Sequence, residues 1–227
     1  MDTSLADRLA EVDARIADAA RAAGRDVSSI TRIVVTKFHP ASLVRELHAL
    51  GVRDVGENRQ QELTAKREEL TGLDGLRWHF IGQAQTNKAR AVRSAADAVH
   101  SVDRPRIADA LDAAGDDTAL DVLLQVNLTD DAGRGGVAPA DVEALAAHVA
   151  ALRTLRVRGV MAVAPLDEDP ARAFERLRRS ADDVRTVVPD ATWISAGMTG
   201  DFPEAIAMGA THLRIGSAIT GPRPERG

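Results

Sequence analysis

Short apolar runs alternate with amphipathic stretches along this 227-residue chain, and that alternation constrains the fold more than any other feature. Strand-like segments fall at 31–36, 52–56, 77–82, 97–102, 121–127, 156–162, 191–196 and 211–216. Helical spacing predicts helices near 41–50, 58–70, 84–94, 104–114, 139–152, 168–187 and 201–209. Leu5, Leu9, Val12 and Ile16 recur at helical spacing ahead of the first strand. Pro40 and Pro139 sit where a first helical turn tolerates them, and Gly51 follows its helix as a C-cap would. Eight β/α units in this length fit a closed (β/α)8 TIM barrel better than the doubly wound open sheet that the same alternation permits. No Pro/Gly/Ser-rich linker divides the chain. One domain over 1–227 is therefore expected, with an extra N-terminal helix at about 3–23 and the barrel at about 31–221.

In such a barrel alternate strand residues point inward, and active sites lie at the C-terminal strand ends. Ile33, Val35 and Lys37 share one face of the first strand; His212, Arg214 and Gly216 share one face of the last. Closure makes these strands neighbours, which places Lys37 and Arg214 on one cavity.

Lys37 is one of only three lysines among 29 basic residues. Arginine keeps its proton near neutral pH and cannot attack a carbonyl, so a lysine retained at a strand end is a candidate Schiff-base former. The alternative is a surface lysine snorkelling off the strand. The net charge of −5 and the 3% aromatic content argue against a nucleic-acid binder. Without cysteine, disulfides, thiolate metal sites and cysteine nucleophiles are excluded. The acidic N-terminus lacks a signal-peptide pattern, and no apolar run reaches the roughly 18 residues that span a bilayer. No membrane association is expected, and the expected location is the cytoplasm.

Arg214-Ile-Gly216-Ser217 leads from the last strand into a possible helical turn, where exposed N–H groups would hold a phosphate; a plain strand-to-turn glycine is the alternative. Gly197-Met-Thr199-Gly-Asp201 would complete the same cradle, or else Thr199 or Asp201 caps the next helix. Gly133–Ala138 fits the loose GxGxxA pattern but lies beyond its strand with no acidic partner downstream, which favours a mobile loop. Walker and HExxH patterns are absent. His79 reads as a hydrogen-bonded core histidine rather than a metal ligand. Asn58, and Asn87 with Lys88, fall just past strand ends, each a helix cap or a polar group aimed into the site.

Several segments together resemble the YggS/PROSC group of pyridoxal-phosphate homeostasis proteins. They are Val34–Lys37, Gly56–Asn58, Trp78–Gly82, Gln85–Lys88, Gly159–Pro165, Gly197–Asp201 and Arg214–Ile219, in the family's order over nearly the whole chain. The resemblance implies a barrel like the N-terminal domain of alanine racemase, with pyridoxal 5'-phosphate held as a Schiff base on Lys37. It implies that Arg214 faces the pyridine nitrogen, that Thr199, Gly216 and Ser217 hold the phosphate, and that Asn58 lines the pocket. It further implies intracellular cofactor homeostasis without an established catalytic reaction, with apo-enzymes that use the cofactor as possible recipients. Thr199 and Ser217 exchange the family's usual serine and threonine and keep a hydroxyl. His39 replaces a second lysine found in many members, and Thr220 replaces an apolar or aromatic residue.

An arginine at the ring nitrogen can only donate, so the nitrogen stays a neutral acceptor and the ring a poor electron sink. This suits storage and delivery. The main rival is an amino-acid racemase, whose alanine-racemase chemistry opposes lysine and tyrosine as bases. The chain has no tyrosine, and with its last residues near the eighth strand no second domain is expected to supply one. A Schiff-base aldolase acting on a sugar phosphate also fits barrel, lysine and phosphate site, but not the ordered motifs. A free-standing barrel is expected to be a monomer.

Overall fold

Ser4 starts the first helix, α1 (Leu5–Ala22), through a capping box. Its hydroxyl accepts the Asp7 N–H at 3.1 Å, and the Asp7 carboxylate accepts the Ser4 N–H at 3.3 Å. Leu9, Val12, Ile16 and Ala20 form the buried stripe of this helix. In the computed structural model, which describes residues 3–222, the chain then alternates regularly. It runs β1 (Thr31–Val35), α2 (Ala41–Ala49), β2 (Asp54–Glu57), α3 (Gln60–Glu69), β3 (Arg77–Phe80), α4 (Ala89–Ala95), β4 (Ala98–Val102) and α5 (Pro105–Ala113). The second half runs β5 (Leu120–Gln125), α6 (Val142–Ala150), β6 (Leu155–Met161), α7 (Pro170–Val187), β7 (Trp193–Ser195), α8 (Phe202–Ala207), β8 (His212–Ile215) and α9 (Ser217–Thr220).

The eight strands form a closed parallel barrel in chain order, sealed where Ile33 of β1 lies opposite Arg214 of β8. The barrel and the N-terminal helix are thus as the alternation implies; the reading of 1–227 as one domain extends past the described residues at both ends. Most element ends shift by one to three residues from the periodicity, and three differences have a clear local cause. Residues 86–88 and 139–141 form separate 3-10 turns ahead of α4 and α6, because a first turn can close i to i+3 before the α-helical ladder begins. Strand β7 is shorter than 191–196, since Ala191 and Thr192 are held in a turn by Val188 and Asp190. The loop carrying Gly133–Ala138 is pinned to the end of β5: Asn127 N–H donates to Val137 O at 2.9 Å, and Val137 N–H to Gln125 O at 2.8 Å.

The outer face of the barrel wall is apolar. Val34, Val55, Val99, Val122, Val160 and Leu213 pack against Val44, Leu47, Leu63, Ile107 and Leu177 of the helices. Each such side chain, fully buried, contributes about 1.5–3 kcal/mol. The lumen is different. Ile33, Leu123 and Met161 are buried outside that shell, among the polar side chains of His79, His100, Ser195 and Arg214. At the N-terminal end of the lumen Arg77 pairs with Asp121 at 3.0 Å, and Trp193 stacks on His212 with ring centres 4.2 Å apart.

Candidate functional site

At the C-terminal end of β1 the backbone on both sides of Lys37 is fixed. Thr36 N–H donates to Gly56 O at 3.0 Å, and its hydroxyl donates to Glu57 Oε1 at 2.6 Å. Lys66 reaches in from α3, donating to Thr36 O at 2.8 Å and to Glu57 Oε1 at 2.5 Å. Burial pushes the Glu57 carboxyl up, against the opposing charge of Lys66. Beyond Lys37, Phe38 takes a left-handed conformation (φ 69°), which costs a non-glycine residue on the order of 1 kcal/mol. Its N–H donates to Glu62 Oε2 at 2.9 Å, and the Arg59 guanidinium lies 4.9 Å from its ring. This scaffold leaves the half-buried Lys37 side chain projecting from a fixed turn. No hydrogen bond or ion pair engages its ammonium among the described residues. Lys66, by contrast, is fully committed.

Arg214 reaches the same cavity from β8. Its Nη1 donates to Ser195 Oγ at 2.7 Å and its Nη2 to Ala162 O at 2.8 Å, both neutral acceptors. Burial lowers the guanidinium to about 10, with Asp201 acting in the opposite direction, so it stays charged at neutral pH. A buried cation without a carboxylate in contact makes the cavity attractive to anions.

Two loops close the cavity. After β7, Gly197 turns with φ 89°, and a Cβ there would lie 2.8 Å from Ala205 Cβ, so only glycine lets this loop pack against α8. Asp201 is not a side-chain cap of α8; its carboxylate accepts the Met198 N–H at 2.6 Å and holds the Thr199–Gly200 turn. A Cβ on Gly200 would meet nothing within 4 Å. After β8, Gly216 leads into α9, where the N–H groups of Ser217 and Ala218 in the first turn have no hydrogen-bond partner among the described residues. Helix α1 braces this turn, as Arg8 Nε donates to Ile219 O at 2.7 Å.

The resulting cavity of about 320 Å³, within the range of small-molecule sites, is lined by Lys37, His39, Thr199, Arg214, Gly216 and Ser217, with Gly200 and Thr220 at its edge. Five of the six residues singled out in the sequence therefore share one space. Asn58 does not. It borders a separate cleft of about 180 Å³ with Gln83 and Lys88, and its Oδ1 is buried without a partner. Nor does it cap α3, whose N-cap is Arg59. The chain after β3 crosses tightly over it: a Cβ on Gly82 would lie 2.0 Å from Asn58 O. Sequence reasoning missed Val35, Ile81 and Met198 as lining residues, although Val35 and Ile81 carry the inward parity. It also missed Ser195 and His100, buried beneath Arg214.

A larger depression of about 640 Å³ opens at the N-terminal end of the barrel; Arg67 and Arg77 there are paired with Asp97 and Asp121, while Arg93 donates to Thr118 O and Thr154 O with the charges of Asp112 and Asp116 nearby. Among the described residues no cluster of three or more His, Asp or Glu is placed to hold a metal, and no helix is long and apolar enough to cross a membrane.

The sequence profile described as "Alanine racemase, N-terminal domain" matches residues 8–224. The pyridoxal phosphate homeostasis protein of Pseudomonas aeruginosa is 44% identical over 97% of this chain and 96% of its own. PipY of Synechococcus elongatus, solved with PLP bound, superposes with a TM-score of 0.84 at 36% identity, covering 96% of this chain and 100% of PipY. The alanine racemase of Corynebacterium glutamicum shares the fold alone, with a TM-score of 0.71 at 16% identity over 95% of this chain and 62% of the racemase.

Proposed function

Since the chain belongs to the alanine racemase N-terminal-domain family, and within it to the pyridoxal phosphate homeostasis proteins, we propose that its C-terminal cavity binds pyridoxal 5'-phosphate in the service of intracellular cofactor homeostasis. One observation carries this reading: an unengaged lysine and an arginine without a carboxylate in contact face one small cavity walled by two glycine- and hydroxyl-bearing loops. The residues fit the group. The cofactor supplies an aldehyde that condenses with a primary amine, water leaving as the C=N bond forms, and a phosphate dianion. Lys37 is the amine. The phosphate sits among Thr199, Gly216 and Ser217, where hydroxyls and spare N–H groups can donate to it. Arg214 donates to the ring nitrogen and keeps it an unprotonated acceptor. Asn58 lies outside the lining in this arrangement, so its part in the pocket requires the Asn58 side chain to turn inward, a move its unpartnered Oδ1 favours.

This reading is of a single-domain, monomeric, cytoplasmic carrier that hands its cofactor to apo-enzymes without turnover of its own. The absence of tyrosine removes the second base of alanine-racemase chemistry, and a neutral ring disfavours carbanions. The test is borohydride reduction of protein incubated with pyridoxal phosphate, followed by peptide mass mapping. A pyridoxyl adduct on Lys37 is expected; an adduct mainly on Lys66 or Lys88 would overturn the assignment. Sustained alanine racemisation lost in Lys37→Ala would instead establish an enzyme.

A further inference from the structure

Behind Arg214 a line of polar side chains runs down the barrel axis. Arg214 Nη1 lies 2.7 Å from Ser195 Oγ, which lies 2.9 Å from His100 Nδ1. His100 Nε2 is 2.9 Å from His79 Nδ1, and His79 Nε2 is 2.9 Å from Asp54 Oδ1. Ser195, His100 and His79 are wholly buried. We infer that these five residues form a one-way hydrogen-bond chain through the lumen, and that Ser195 and His100 are positioning residues that hold Arg214 as a donor toward the ring of the bound cofactor. The inference rests on the cofactor reading given above.

The direction follows from the two ends. Arginine can only donate, and an ionised carboxylate can only accept. Against burial, the hydrogen bond from His79 and the nearby charge of Arg77 hold Asp54 below its ordinary value, so it is ionised. Ser195 accepts from Arg214, which leaves its own hydrogen free for His100 Nδ1. His100 donates from Nε2 to His79 Nδ1, and His79 donates from Nε2 to Asp54. Both imidazoles are thereby fixed as neutral Nε2–H tautomers. Burial keeps the His100 imidazole neutral well below its ordinary range, so with its one N–H given from Nε2 to His79, its Nδ1 offers only a lone pair to the Ser195 hydroxyl. With two N–H groups committed to Ser195 and Ala162, Arg214 has its remaining donors held at one orientation for the cavity.

The test has two arms. Nitrogen-15 NMR of the cofactor-free protein at neutral pH should show His79 and His100 as neutral Nε2–H tautomers; an Nδ1–H or charged form of either ring would overturn the chain. In cofactor-loaded protein, Ser195→Ala should shift the absorbance band and speed cofactor release about tenfold, as loss of one charge-assisted hydrogen bond implies, and Ser195→Thr should restore both. An unchanged band and release rate in Ser195→Ala, with a pyridoxyl adduct still trapped on Lys37, would overturn the positioning role. Absence of the Lys37 adduct in the parent protein would instead mark failure of the cofactor reading itself.

Discussion

At the N-terminal end of the barrel Arg77 is paired with Asp121 and lies 5.4 Å from the Trp193 ring, and Arg158 lies 4.6 Å from the same ring and 3.6 Å from Asp121. At the C-terminal end, among the described residues, Arg214 hydrogen-bonds only to neutral acceptors and the Lys37 ammonium to none. The same residue types thus serve two purposes. Where cations are matched by anions and an aromatic face, they close the floor of the barrel and contribute to stability. Where they are left unmatched in a buried cavity, their desolvation is relieved only when an anion arrives. The two lysines beside β1 repeat the contrast at closer range, with Lys66 spent on Glu57 and Thr36 while Lys37 stays available.

Substitutions at the two ends should therefore separate binding from stability. The largest effect is expected for Lys37→Ala: complete loss of borohydride-trapped cofactor, with circular dichroism and thermal unfolding close to those of the parent. Residual phosphate-anchored binding should remain and be measurable by equilibrium dialysis. Arg214→Glu comes next. It sets a proton acceptor against the ring nitrogen, so the absorbance band of the loaded protein and its pH dependence should change. Retention should weaken by a few kcal/mol at most, or up to about a hundredfold, without loss of covalent capture. A folded variant with unchanged spectrum and affinity would mean that Arg214 does not face the ring.

At the floor the expected effects are on stability alone. Burial, with the charges of Arg77 and Arg158 acting in the same direction, brings His212 down to about 3. The unfolded chain takes up that proton near pH 6.5 while the folded chain does not until about 3, so this contribution is complete above about pH 6.5 and falls away as pH drops. Denaturant titrations should show about 2 kcal/mol of stability lost to His212 between pH 7 and pH 5, and correspondingly less in His212→Gln. His100 adds a loss of the same sign. The smallest effect is expected for Asp121→Asn, which weakens the contacts of that side chain with the part-exposed Arg77, Arg156 and Arg158. It should cost less than about 1 kcal/mol and leave cofactor retention unchanged; weakened retention would show the two ends to be coupled through those contacts.

Features that repeat or stand in strand register were readable before the fold was known. The parity of Ile33, Val35 and Lys37, and of His212, Arg214 and Gly216, needs only the two-residue period of a strand, and barrel closure then joins the two sets. The glycine and hydroxyl residues of 197–201 and 216–217 were readable for the same reason, since they follow strands directly. Asn58 was not. Its direction depends on how the chain beyond β3 crosses it at Gly82, a contact between segments that no local spacing encodes. The line from Asp54 to Arg214 was hidden more deeply, because it draws its five residues from five different strands, β2, β3, β4, β7 and β8. His79 alone gave a sign of it, as a polar residue with inward parity. Phe38 follows the key lysine in sequence, and its left-handed conformation is held both by a local turn, His39 N–H donating to Thr36 O at 3.1 Å, and by Glu62 on α3, which no local spacing encodes.

The cavity of Lys37 and Arg214, and not the larger depression at the N-terminal end, is expected to receive the cofactor. A crystal structure of the protein grown with pyridoxal phosphate tests it most directly. The expected result is density continuous with Lys37 Nζ, the phosphate among Thr199, Gly216 and Ser217, and the ring nitrogen within hydrogen-bond reach of Arg214. Density instead in the depression of about 640 Å³ at the N-terminal end, or joined to Lys66 or Lys88, would contradict it.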